Sequence, residues 1–185
     1  MSNYTEIVIL CEDLQQAVFA RHFLESSSIH RRRIRTNVCP KGKLAGEQYV
    51  REKYPEEVRA HRSRSAHMNI GLVVLTDADI KAVSQRRREL EEVLDIGGQG
   101  RREAVERIAI FIPKRNVETW IHYLMGETVN ETDVYRKLPL ESDCKPFVAR
   151  AAAKSEYRLT ADVLPSLRAA CGELTRIFPA KRCVE

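Results

Sequence analysis

The chain has 185 residues, of which 43% are hydrophobic and 31% are charged, and its formal net charge is +5 at pH 7. This length and apolar content predict one domain with a substantial core and leave little room for a second domain. No segment reaches the roughly 20 consecutive apolar residues of a membrane helix, and the polar start MSNYTE is unlike a secretory signal, so we expect a cytoplasmic protein that does not engage a membrane.

The first half of the chain predicts two strands, each followed by a helix. TEIVILC at 5–11 is a short apolar strand, and EDLQQAVFARHFLES after it is helical. IRTNVC at 34–39 is the second strand, and a loop separates it from a helix over 47–64. Because proline lacks the backbone N–H that a helix interior needs, we expect a break in this helix at Pro55.

The next segment repeats the pattern. GLVVLT at 71–76 and RIAIFIP at 107–113 are the third and fourth strands, followed by helices over 81–94 and 116–126. The strand runs are apolar throughout rather than alternating, which is typical of strands covered on both faces. The sequence therefore predicts a Rossmann-like α/β fold, with a mostly parallel four-stranded sheet and helices on both faces.

The last third of the chain changes character. After a polar loop, CKPFVARAAAKS and VLPSLRAACGELTRIF predict two helices, and no further strand follows. We therefore expect an α/β core over residues 1–126 and a helical C-terminal extension of the same domain over 127–185.

Acidic residues follow three of the predicted strands. Glu12 follows the first strand, Asp77 and Asp79 follow the third, and Glu118 follows the fourth. The carboxyl ends of parallel strands meet at one edge of the sheet, where ligands bind. If the extended backbone continues, Asp77 and Asp79 point the same way. Converging carboxylates repel one another unless a cation lies between them, and oxygen ligands suit Mg²⁺ or Mn²⁺. The acids at these strand ends, with Asp13 beside Glu12, therefore predict a divalent metal site.

Helix capping is the alternative explanation for these acids. Glu12, Asp13, Asp79 and Glu118 each lie near a predicted helix start, where acids accept hydrogen bonds from free amides and favour the helix dipole. Capping explains each of them singly. It explains Asp77 least well, because Asp77 directly extends an apolar strand and precedes the cap position.

Three motifs, in this order along the chain, resemble the TOPRIM domain, in particular small stand-alone OLD-like TOPRIM proteins. They are IVILCED with Glu12, VVLTDAD with Asp77 and Asp79, and IAIFIPKRNVETW with Glu118. The resemblance covers about residues 5–125. It implies that Glu12 is a metal ligand or a general acid/base, that Asp77 and Asp79 hold Mg²⁺, and that Glu118 helps to bind a second ion. It also implies that Lys114 is a catalytic residue that stabilises developing negative charge.

Basic residues are clustered at 30–35, 59–64, 86–88 and 101–102, a pattern that suits phosphate backbones. The loop PKGKLAG does not match a Walker A motif, yet its lysines precede a helix and are placed to cradle a phosphate. Solvated helix faces and a flexible surface loop are the alternatives. The residues expected to contact nucleic acid are Lys41, Lys43, Arg62, Arg64 and Arg115.

These features predict a Mg²⁺- or Mn²⁺-dependent endonuclease that cuts DNA or RNA, as the resemblance implies, in anti-phage defence or a toxin-like system. A separate ATPase protein is the expected partner, and a homo-oligomer is left open. The alternative is a catalytically silent subunit that binds an ATPase or nucleic acid. It is favoured by Asp13, which stands where TOPRIM proteins have glycine, and by Gln15 and Gln16, which stand where an acid is expected.

Overall fold

The computed structural model of the protein describes residues 5–42, 44–154 and 163–178. Its strands form one parallel sheet in the order β2-β1-β3-β4. The predicted Rossmann-like α/β arrangement is therefore confirmed. The strands are β1 (Glu6–Cys11), β2 (Ile34–Val38), β3 (Ile70–Leu75) and β4 (Ile108–Phe111).

Helices cover both faces of the sheet. The helices are α1 (Leu14–Ser26), α2 (Gly46–Ser65), α3 (Val83–Ile96), α4 (Val117–Met125), α5 (Lys145–Lys154) and α6 (Pro165–Ile177). Buried residues of α1, α4, α5 and α6 share one hydrophobic cluster with the sheet, and those of α2 and α3 share the other. Within the described ranges, no helix combines the length and apolarity needed to cross a membrane.

β1, β3 and β4 are apolar at nearly every position because successive side chains enter different cores. The edge strand β2 reads IRTNV and exposes Arg35 and Thr36. In β1, Ile7 and Ile9 pack with the α1 side, whereas Val8 and Leu10 pack with the α2 side. Strand side chains alternate between the two faces, so a strand covered on both faces needs apolar residues at every position.

The direction of chain progression reverses between β1 and β3. The chain leaves β1 for β2 at one edge, returns to β3 on the other side of β1, and continues to β4. In open parallel sheets, ligands bind in the crevice at the carboxyl ends of the two strands that flank such a reversal. The turns that follow β1 and β3 therefore flank the expected site.

The expected break at Pro55 is wrong, because α2 continues through this residue from Gly46 to Ser65. Its buried side chains lie on both sides of the proline and include Val50, Tyr54 and Val58. Burial of this apolar face against the sheet outweighs the roughly 3 kcal/mol that an interior proline costs a helix.

The edge of β4 is covered by one side chain from α6 and one from the segment before β4. Glu173 on α6 accepts a hydrogen bond from the Ile110 N–H (3.0 Å), and Arg102 donates to the Ile108 carbonyl (2.7 Å). Arg102 also donates to Glu173 (2.7 Å). Side chains thus satisfy edge groups that would otherwise be free to pair with another strand.

His61 gives the fold a testable dependence on pH. It lies in α2 and is 5% exposed. Burial lowers the pKa of its imidazole, although the charge of Glu106 opposes this shift. The unfolded chain therefore binds a proton more readily than the folded chain, and stability is lost as pH falls below about 6.5.

We expect His61→Leu to reduce the loss of stability between pH 7.5 and pH 5.5, as measured by urea unfolding at both values. His67→Leu changes an exposed histidine two residues beyond the end of α2 and is the matched control. If the wild type and the His61 variant lose the same free energy over this range, His61 does not titrate on unfolding.

Candidate functional site

Glu12 joins the turn after β1 to the turn after β3. Its Oε1 atom accepts hydrogen bonds from the Thr76 hydroxyl and from the Asp77 N–H (2.7 Å). Burial raises the pKa of Glu12 to about 7, although these two hydrogen bonds oppose the shift. The side chain is therefore fixed across the crevice between β1 and β3 and titrates near neutrality.

Asp77 carries a buried oxygen atom without a hydrogen-bond donor. Its Oδ1 atom is inaccessible to solvent and has no partner within the described residues. Burial raises the pKa of this carboxyl well above its usual range, and the negative charges of Glu12 and Glu118, among others, raise it further. Isolated buried carboxylates are costly, so this position favours either a proton or a cation.

Glu118 reaches the same region from α4. It is 2% exposed, and its Oε1 atom is also buried without a donor in the described part of the chain. Burial raises the pKa of Glu118, and the positive charge of Lys137 opposes this shift. Trp120, two residues further along α4, is buried and donates a hydrogen bond to Ser166 on α6 (2.8 Å), which fixes the helix that carries the glutamate.

Asp79 does not point with Asp77, so that expectation is wrong. The backbone of Asp79 has a φ of +55°, and its side chain is 60% exposed. The chain turns through a left-handed conformation there instead of staying extended, which directs Asp79 towards solvent. Its Oδ2 atom lies 3.6 Å from Arg86 Nη2.

Arg86 stabilises the turn after β3, which carries Asp77 and Asp79. It is 3% exposed, and its Nε donates to the Asp77 carbonyl (3.0 Å). Its Nη1 lies 2.6 Å from Glu47 and 2.9 Å from Glu89. Although Arg86 belongs to a basic cluster in the sequence, the structure gives it a buried, positioning role.

Lys137 lies close to Asp13, and its ammonium is influenced by the charges of Glu118 and Asp77. No sequence pattern indicates this position. The Nζ of Lys137 donates to Asp13 Oδ2 (2.7 Å), and this bond raises the pKa of the ammonium, as do the charges of Glu118 and Asp77. Lys114, the predicted catalytic lysine, instead donates to the carbonyl of Lys81 (2.7 Å).

Gly46, the first residue of α2, lies against Glu12. A Cβ atom at position 46 would be 2.6 Å from Glu12 Cβ and 3.1 Å from Glu12 Oε2. The loop PKGKLAG, predicted to cradle a phosphate, thus ends in contact with an acid of the site. Lys41 of this loop is exposed, whereas Lys43 lies outside the described residues.

Helix capping accounts for Asp13 but not for Glu12 or Asp79, whereas the Glu118 carboxyl accepts a hydrogen bond from its own backbone N–H in the first turn of α4. Asp13 is the N-cap of α1 and accepts from the Gln16 N–H (2.9 Å). The N-cap of α3 is Ala82, so Asp79 does not cap it. Glu12 bonds across the sheet, and the buried Oε1 of Glu118 accepts no hydrogen bond from the described residues.

Three of the basic residues predicted to contact nucleic acid, Arg62, Arg64 and Arg115, lie at opposite ends of the strands. Arg115 is beside the acids, and its Nη1 donates to the Asp79 carbonyl (3.2 Å). Arg62 and Arg64 lie near the end of α2, at the amino edge of the sheet. They form ion pairs with Glu106, just before β4 (2.6 Å), and with Glu6, the first residue of β1 (3.0 Å).

Glu12, Asp77 and Glu118 form a donor set that fits a hard divalent cation, because all their ligand atoms are carboxylate oxygens. Two of these oxygens are buried without a donor in the described residues. Within residues 5–42, 44–154 and 163–178, no group of three or more His, Cys, Asp or Glu side chains is arranged to hold a metal ion.

Comparison of the chain with protein-family models, with curated proteins and with solved structures found no match. The chemistry of the site is therefore inferred from its own residues.

Proposed function

We propose that the protein is a Mg²⁺- or Mn²⁺-dependent nuclease that hydrolyses phosphodiester bonds in DNA or RNA. The observation that carries this proposal is the pair of buried oxygens, on Asp77 and Glu118, that lack hydrogen-bond donors among the described residues. The Asp77 N–H is bonded to Glu12, and the negative charges of Glu12 and Glu118 both raise the pKa of Asp77. Strongly perturbed carboxylates in a crevice are typical of functional sites. The order of motifs that resembles the TOPRIM domain supports the same conclusion.

Glu12, Asp77 and Glu118 are the residues that would hold the ion. A bound divalent ion lowers the pKa of water and neutralises charge on a phosphate. Thr76 and the Asp77 amide hold Oε1 of Glu12 and thereby orient its other oxygen, Oε2. Lys137 and Arg115 supply fixed positive charge beside these acids, which stabilises negative charge that develops on the phosphate.

A catalytically silent subunit is the second candidate, and two observations favour it. The acids of the described residues are not arranged as a ready metal site, and Asp79 is turned towards solvent. In this case the fold would dock nucleic acid or a partner ATPase without binding an ion. Arg86 and Lys137 would then serve only to neutralise buried acids.

Thermal unfolding with and without metal separates the two candidates. A nuclease should be stabilised by Mg²⁺ or Mn²⁺ relative to EDTA, by about 2.7 kcal/mol when the ion is at 100 times its Kd. It should also cut plasmid DNA or tRNA only when the ion is present. A silent subunit should show neither effect, and that pair of results would overturn the nuclease proposal.

Lys137→Met should tighten the binding of Mn²⁺. The ammonium lies among the acids and repels an incoming cation, and its removal should lower the apparent Kd about 3- to 10-fold, since one unit charge at 4 Å contributes roughly 1 kcal/mol in water. Titration of Mn²⁺ followed by thermal unfolding measures this change. Lys145→Met removes an exposed lysine at the start of α5 and should leave the Kd unchanged.

A further inference from the structure

A groove of about 590 Å³ lies between α3 and α6, and none of the residues assigned above to the metal site lines it. Its volume is within the range of small-molecule binding sites. Ser84 and Arg88 line it from α3, Arg101 lines it from the segment before β4, and Ser166 lines it from α6. Val83, Pro165 and Ala169 add an apolar surface.

Hydrogen bonds fix one wall of the groove. Ser84 lines the groove from the first turn of α3. On the opposite wall, the Ser166 hydroxyl accepts from Trp120 (2.8 Å), and the Ser166 N–H donates to Glu131 (2.8 Å). The bond to Trp120 fixes the start of α6 to the helix that carries Glu118.

Two guanidinium groups of the groove are available to a ligand. Arg88 is exposed and has no acidic partner within 4.0 Å among the described residues. Arg101 is 72% exposed, and Asp95 is 3.7 Å away from it. By contrast, Arg87 is engaged by Glu173 (2.7 Å). Planar guanidinium groups bind phosphate through paired hydrogen bonds, so Arg88, together with Arg101 and its long, exposed contact with Asp95, favours an anionic ligand.

The groove also contains two carboxylates, and they differ in their effect. Glu131 accepts the Ser166 N–H at the N-terminus of α6, where the helix dipole offsets its charge. Glu91, on α3, adds a negative charge that opposes an anion in the groove. A ligand bound there should therefore be sensitive to the charge of Glu91.

We propose that the α3–α6 groove binds the phosphodiester backbone of a nucleic acid, at phosphates beyond those at the metal site. This proposal rests on the proposed function. From Val83 to Glu91 the groove follows α3 for about 12 Å, at 1.5 Å per residue, which spans roughly three to four phosphates of one duplex strand. Arg88 and Arg101 contact phosphates, and the apolar surface accommodates sugars.

Fluorescence anisotropy with labelled oligonucleotides tests the groove without any cleavage. Single-stranded DNA, single-stranded RNA and duplex DNA of the same sequence are titrated in EDTA at several salt concentrations, and an acidic peptide serves as a competitor. The variants are Arg88→Ala with Arg101→Ala, and Glu91→Gln. Arg59→Ala and Glu92→Gln remove exposed charges from α2 and α3 outside the groove and are the matched controls.

The double arginine variant should bind at least 10-fold more weakly than Arg59→Ala. The slope of the logarithm of its binding constant against the logarithm of the salt concentration should become shallower by about 0.7–0.9 for each lost phosphate contact. Glu91→Gln should bind more tightly than Glu92→Gln. Among the three nucleic acids, the one whose binding changes most is the class the groove prefers.

Two results would overturn the proposal: equal affinity and salt dependence of the double variant and Arg59→Ala, or full displacement of the oligonucleotide by an equally charged acidic peptide. Failure of the nuclease proposal is a separate result. Loss of binding in the arginine variants without any metal-dependent cleavage would leave the groove assigned and the catalytic site unsupported. Metal-dependent cleavage by the wild type, together with unchanged binding in the arginine variants, would support the catalytic site and overturn the groove assignment.

Discussion

Asp77→Asn is expected to lower metal-dependent cleavage of nucleic acid by at least about 100-fold, since even residues that only support a metal ligand often change activity 10- to 100-fold. In EDTA the same variant should be more stable than the wild type. Without an ion, the Asp77 carboxyl must either take up a proton on folding or stay charged among other acids, and both lower the stability at neutral pH, whereas asparagine does neither. The expected gain is about 1–3 kcal/mol in the free energy of unfolding, or roughly 3–9 °C in Tm.

The two opposite effects make this prediction specific. Loss of activity through misfolding would come with a lower Tm, whereas loss of a metal ligand comes with a higher one. Cleavage is measured with Mn²⁺ under single-turnover conditions, and Tm is measured by calorimetry in EDTA. Asp95→Asn, at the exposed far end of α3, should change neither quantity. Wild-type cleavage rates in the Asp77 variant would remove the residue from the catalytic site.

Glu173→Gln is expected to be the most destabilising single change proposed for this protein. Glu173 is 13% exposed, lies 2.7 Å from both Arg87 and Arg102, and accepts the Ile110 N–H. Removing one partner of a buried ion pair typically costs 3–5 kcal/mol, because the remaining charge is left without compensation. Urea unfolding should therefore give a free energy lower by about 3 kcal/mol or more, whereas Glu92→Gln should change it by less than about 0.5 kcal/mol.

The cost of Glu173→Gln should also depend on pH. Burial alone would raise the pKa of Glu173, but the hydrogen bond and charge of Arg102, with the Ile110 N–H and Arg87, hold it below its usual value of 4.5. Its contribution is therefore fully present above pH 4.5 and is lost as pH falls below that value. The difference between wild type and variant should shrink between pH 7 and pH 3.5, and a constant difference would show that the arginine pairing is not its source.

The strands and the class of fold could be predicted because the signals are local. β1, β3 and β4 are nearly continuous apolar runs, and burial on both faces in a parallel sheet requires this pattern. The edge strand β2 is partly polar and gives a weaker signal. The continuity of α2 could not be predicted in the same way. The penalty of Pro55 can be read from the residue alone, but the compensating burial depends on contacts with strands that lie elsewhere in the chain.

The site was predictable only in part, for a similar physical reason. Glu12, Asp77 and Glu118 could be selected because strand ends converge in any parallel sheet. The left-handed turn at Asp79 and the approach of Lys137 depend on loop paths that no local pattern encodes. Thr76 and Arg86 were missed because their roles depend on hydrogen bonds to residues brought close by the fold: Thr76 donates to Glu12, and Arg86 bonds the Asp77 carbonyl and Glu47.

The contact between Gly46 and Glu12 has a consequence for recognising relatives of this protein. Any Cβ atom at position 46 would overlap the Cβ of residue 12, so alanine is excluded while the two turns keep their paths. The glycine should therefore accompany the first acid through evolutionary divergence, 34 positions downstream in this chain (46 − 12 = 34). A search profile that pairs an acid after the first strand with a glycine opening the second helix should retrieve homologues that the acids alone would miss.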